Sequence, residues 1–183
     1  MIYELYRGLN ALLFVLLALL LAAIQSVVLK MPIFSWLSLD LLLVLVVYLS
    51  LTHQVLEGIF LVLWIGRVAE IHSSAPSGIF VTTYLALFLL IFFTKVLLLV
   101  SNKFSTILLT MGGGFFWKLA FLLLALRYGI FQNIWKSTLE LFLPFIFSLA
   151  VSARPLFSLF QKIDLWTKYD RNAESRQLTG EEA

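Results

Sequence analysis

The sequence predicts an all-α integral membrane protein, a six-helix transmembrane bundle. Three observations carry this. Apolar residues make up 62% of the 183 positions. Charged residues make up 13%, against roughly a quarter in a soluble domain. The apolar residues also fall into six runs, each near the about 20 residues that a spanning helix needs, separated by short polar breaks.

The first run, 9–29, is flanked by Arg7 and Lys30. A basic residue ahead of an apolar core also fits a signal peptide, but the run is long and no small-residue cleavage site precedes the Lys30–Pro32 break. The second, 36–52, reads WLSLDLLLVLVVYLSLT, with Asp40 near its start. A tight turn at His53-Gln54 leads into the third, 55–71, which carries Gly58, Gly66, Arg67 and Glu70. The breaker cluster HSSAPSG follows and closes on Gly78. The fourth run is 79–100, rich in Leu and Phe. The fifth, 106–127, contains Gly112-Gly113-Gly114 and then Lys118. The sixth, 137–159, carries Glu140, Pro144 and Pro155. Residues 1–160 are thus expected to form the transmembrane domain and 161–183 a polar cytoplasmic tail.

Six helices place both termini on one side. Arg7, Lys103, Lys162, Lys168, Arg171 and Arg176 fall there, while Lys30, Arg127 and Lys136 fall on the other, with Arg67 near them. The positive-inside rule makes the terminal side cytoplasmic. The net charge of +3 is therefore a topology signal and not a nucleic-acid footprint.

Several chemistries find no support. Cysteine is absent, so there is no disulfide, thiolate metal site or thiol nucleophile. Two histidines, His53 and His72, are too few and too far apart for a zinc motif. No G-x-S-x-G, HExxH or facing pair of carboxylates occurs, so the chain is expected to be no enzyme and to need no cofactor.

The charges inside the runs need a reason, because each one near a bilayer centre costs roughly 2.5–3.5 kcal/mol on insertion scales. Asp40, Glu57 and Glu140 lie near predicted helix ends and can reach headgroups or water; Lys95 can snorkel. Lys118 is central. It is expected to face the bundle and pair with an acid, Glu70 or Glu140 being the candidates, either as a packed ion pair or as part of a wet cavity. Arg67 and Glu70, spaced i,i+3, can meet on one face. Glu70 sits where the helix dipole disfavours an acid, and Arg67 is the simplest compensation. Gly58 and Gly66 are two notches for close packing. Ser73, Ser74 and Ser77 can bond the carbonyls freed at the helix end, Pro76 stops the helix, and Gly78 allows a tight restart.

The stretch LDLLLVLVVYLSLTHQVLEGIFLVLWIGRVAEIHSSAPSGIF resembles the bacterial rod shape-determining membrane protein family MreD. Asp40-Leu41-Leu42-Leu43 matches the family's aspartate-led Leu/Val helix, Gly58 and Gly66 its next helix, Glu70 the place of its usual aspartate, and Gly78 the glycine opening the fourth helix. The closing LELFLPFIFSLAVSARPLF is similar in its mid-helix proline, Pro144. Leu39 departs from a common proline, and Arg67 is not a family feature. The resemblance implies a non-enzymatic scaffold or assembly subunit of the lateral wall-elongation machinery in the bacterial cytoplasmic (inner) membrane. Its partners would be an MreC-like bitopic protein, the MreB filament, and a RodA-type glycosyltransferase with its penicillin-binding transpeptidase, among membrane lipids and without nucleic acid. Asp40, Gly58, Gly66, Arg67, Glu70, Gly78, Lys118 and Glu140 become packing or docking candidates. The family's fold is also similar to the substrate-binding membrane subunits of vitamin transporters. The alternative is therefore a solute-binding subunit with Lys118, Glu70 and Arg67 lining a cavity. A cavity of a few hundred Å³ with convergent polar groups would discriminate the two.

Overall fold

The computed structural model describes residues 2–27, 39–73, 76–98, 103–127, 136 and 139–167. These are all-helical: α1 (Ile2–Val27), α2 (Leu41–Thr52), α3 (Val55–Ile71), α4 (Ile79–Leu98), α5 (Lys103–Arg127) and α6 (Phe142–Trp166), with no strand among the described residues. The expected helix ends at 28–29, 36–38, 99–100 and 137–138, the Lys30–Pro32 break, Ser74, and the tail from 168 onward lie outside the described residues. By length and composition α1, α5 and α6 are able to cross a membrane, while α2 and the Ile79–Lys95 stretch of α4 are shorter apolar segments.

α2 organises the molecule. It is apolar on every side, so no face of it prefers water, and it packs against all five other helices. Every residue from Leu41 to Ser50 is buried. With 12 residues it is about 18 Å long, short of the about 30 Å hydrocarbon core. The second run is expected to be helical from 36, but the helix starts at Leu41. Asp40 stays extended and its carboxylate takes the N–H of Leu43 at 3.0 Å, which ends the helix on its N-terminal side.

α1 buries one stripe, Asn10, Phe14, Ala18, Leu21 and Ala22, at helical spacing, and exposes leucines on the rest of its circumference. α3 and α4 run antiparallel and close together. A Cβ on Gly66 would stand 2.7 Å from the Val81 Cα, and one on Gly58 2.4 Å from the Phe88 ring. α5 packs on α6 in the same way, since a Cβ on Gly114 would meet a Leu149 methyl at 2.3 Å.

α6 continues to Trp166, past Gln161 where the sequence reading begins the polar tail. The reason is inward polarity: Asp164 and Thr167 both bond the amide of Asn10 on α1. Pro144 falls in the first turn of α6, where its missing N–H has no helical partner to lose, and Pro155 sits within the helix. The start of α1 and the end of α6 therefore share one end of the bundle.

Candidate functional site

Three polar constellations interrupt the apolar interior. The first is the joint between α3 and α4. Arg67 Nη1 donates to Glu70 Oε2 at 2.9 Å. Arg67 is 64% exposed, so water screens that pair. The other oxygen of Glu70 does more. Oε1 accepts the backbone N–H groups of Gly78 at 2.7 Å and Val81 at 3.2 Å. Glu70 thus caps the N-terminus of α4. The dipole of α4 offsets the unfavourable end of α3, a compensation that the sequence reading assigns to Arg67 alone. Gly78 has φ +96°, a conformation that glycine takes without strain, and this turns its N–H back toward Glu70.

At the end of α3 the Val68 carbonyl receives the His72 N–H at 3.3 Å and its ring Nδ1 at 2.8 Å, and the Glu70 carbonyl receives the Ser73 N–H at 3.2 Å. The chain has already turned there, so main-chain donors lie within reach.

The second constellation surrounds Asp40. Besides Leu43, its carboxylate accepts the Tyr84 hydroxyl at 2.8 Å and a side-chain hydrogen bond from Gln25. Gln25 Oε1 in turn accepts the Leu41 N–H at 3.1 Å, a second cap on α2. Lys118 forms no ion pair with a described acidic residue. This corrects the expected pairing of Lys118: Glu70 is committed to the α3–α4 joint, and Glu140 is exposed ahead of α6. The Lys118 ammonium lies 4.6 Å from the Phe145 ring centre and 5.5 Å from that of Trp117, so aromatic faces solvate it.

Beside Asp40 a cavity of about 310 Å³ opens between α1, α2, α3 and α4. Its polar walls come from Gln25, Ser26, His72, Ser73 and Tyr84, with Phe80 alongside. Lys118, Glu70 and Arg67, the residues expected around a solute cavity, do not line it. They lie outside because two of them form the helix joint and the third faces α6.

The third constellation lies at the opposite end. The Asn10 amide donates to Asp164 Oδ1 at 2.9 Å and to Thr167 Oγ1 at 2.7 Å, and its carbonyl meets His53 Nε2 at 3.0 Å. Tyr48 donates to the other Asp164 oxygen. This network ties α1, the α2–α3 turn and α6. Next to it Arg7 reaches Gln54 at 3.1 Å and Glu57 at 3.6 Å.

None of Tyr84, Gln25, Asn10, Tyr48, His53 and Asp164 stands among the sequence-predicted site residues. Asn10 and Gln25 carried a usable signal, being amides inside a run of leucine and alanine. Among the described residues no group of three or more His, Cys, Asp or Glu is placed to hold a metal ion.

The described residues define an all-α protein with three helices long and apolar enough to cross a membrane. No family model matches the chain, and no curated protein and no solved structure is significantly similar to it.

Proposed function

We propose that this chain is a six-span protein of the bacterial cytoplasmic membrane that acts, without catalysis of its own, as a scaffold or assembly subunit of the lateral wall-elongation machinery. One observation carries the reading. The residues that resemble MreD are joints of a single α2–α3–α4 unit: Asp40 caps α2, Gly58 and Gly66 admit α4, and Glu70 and Gly78 build the turn between α3 and α4. Such residues set the relative placement of three helices and so present a rigid surface to a neighbour. They do not assemble a nucleophile or an acid–base pair.

The six-span arrangement accommodates the short α2 because its polar ends, Asp40 and His53, are satisfied inside protein and not in lipid. Cytoplasmic termini follow from the Lys/Arg bias, and an MreC-like protein, an MreB filament, and a RodA-type glycosyltransferase with its transpeptidase are the proposed partners. Affinity capture from native membranes of a rod-shaped host, read by mass spectrometry, tests this. The expected outcome is recovery of an MreC-like protein with the wall synthases. Recovery of transporter subunits in their place overturns it. Topology reporters at Ser77 and Gly180 should report opposite sides.

The cavity favours a second reading, a solute-binding membrane subunit of a transporter. About 310 Å³ with five polar walls falls at the small end of the roughly 300–1,000 Å³ range of ligand pockets.

A further inference from the structure

Three walls of this cavity, Tyr84, Ser26 and His72, have already spent a proton on the protein. The Tyr84 hydroxyl donates to Asp40, and the Ser26 hydroxyl donates to the Ala23 carbonyl at 3.0 Å. His72 Nδ1 stands 2.8 Å from the Val68 carbonyl, which can only accept, so Nδ1 carries the hydrogen; in the neutral ring Nε2 is then an acceptor. The Gln25 side chain is bonded to Asp40 and to the Leu41 N–H. What Tyr84, Ser26, His72 and the Gln25 carbonyl have left for the cavity is lone pairs. The rings of Phe80 and Tyr84 add two aromatic walls, each with a negative face.

We propose that this cavity binds the ammonium or guanidinium group of a small organic cation. Such a head supplies several N–H donors to a ring of acceptors and places positive charge against aromatic faces. The surrounding charges permit it. Asp40 lies directly behind Tyr84 and Gln25. Arg67 is paired with Glu70 and turned outward, and Lys118 is held over Phe145 and Trp117. A neutral acceptor or an anion finds no free proton on Tyr84 or Ser26. This inference rests on the solute-binding reading and names its ligand class; it is independent of the scaffold reading.

The test uses the full chain in lipid nanodiscs, with calorimetric titration of three probes that share a phenyl ring: phenethylamine, 2-phenylethanol and phenylacetate. Saturable binding of phenethylamine, at least tenfold tighter than the other two, is expected. His72→Leu and Ser26→Ala should each weaken it several-fold while the unliganded melting temperature stays within a few degrees; His72 is exposed, so its replacement spares the core. Binding of the alcohol or the acid as tight as that of the amine overturns the cation assignment while leaving a solute cavity. Absence of binding by all three overturns the solute-binding reading as well. Undiminished amine binding in both variants places the amine elsewhere and also overturns the assignment.

Discussion

The carboxylate of Glu70, on the last turn of α3, accepts the backbone N–H of Gly78 at 2.7 Å, just ahead of the first turn of α4. One side chain thus ends one helix and begins the next. An acid at the C-terminal end of α3 is disfavoured by that helix, but it stands at the positive end of α4, where exposed N–H groups need acceptors.

Glu70→Ala should therefore cost about 1–3 kcal/mol, since it strands the Gly78 and Val81 N–H groups. Glu70→Gln keeps an acceptor oxygen and should cost less. Arg67→Ala should be nearly silent, because its pair with Glu70 is exposed on the arginine side. Hydrogen exchange at the Gly78 and Val81 amides, measured beside thermal unfolding, distinguishes these outcomes; equal effects of Arg67→Ala and Glu70→Ala would make the ion pair the working contact.

The glycines separate by what they face. Gly66→Ala drives a methyl into the Val81 backbone, which cannot yield by a rotamer change, so α3 and α4 must part. A loss of about 1–3 kcal/mol is expected, as for other overpacked sites. Gly112→Ala meets nothing within 4 Å and should be neutral, or stabilising by up to about 1 kcal/mol through helix propensity. Matched melting temperatures for the two variants would show that α3 and α4 do not approach as described.

Asp40 serves α2 and α4 together. Asp40→Ala leaves the Tyr84 hydroxyl and the Leu43 N–H buried without their acceptor and should cost at least about 2 kcal/mol. Tyr84→Phe removes one of the bonds and keeps the ring that stacks near Trp117, so it should cost less. A double-mutant cycle of Asp40→Asn and Tyr84→Phe should give a coupling above about 0.5 kcal/mol; additive effects would mean that the two side chains act separately.

At the other end, Asn10→Leu should destabilise by about 2 kcal/mol or more. It fits the apolar run but withdraws one bond from each of Asp164, Thr167 and His53. Tyr48→Phe should be milder, because its packing on Phe157 and Phe160 is kept. Limited proteolysis beyond Trp166 offers the local readout: Asn10→Leu should raise cleavage there, and an unchanged rate would dissociate Asn10 from the seating of α6.

The sequence by itself determined the class and the helices. Runs of leucine with short polar breaks marked six helical segments, because hydrophobic periodicity and breakers act locally. The Arg67–Glu70 contact was legible for the same reason, one helical turn being a local distance, and so were the Gly58 and Gly66 notches. What only the tertiary structure decided was which polar groups meet. Asp40 finds Tyr84, Asn10 finds Asp164, and Glu70 reaches forward to the next helix, all across distances that chain spacing does not encode. Lys118 makes the point most clearly. Its need for a stabilising partner followed from position, but that the rings of Phe145 and Trp117 face it while Glu70 is committed to the α3–α4 joint depended on which helix faces meet. The length of α6 was decided in the same way: a polar segment after Gln161 reads as tail until a buried asparagine on α1 gives Asp164 and Thr167 a reason to stay helical and turn inward.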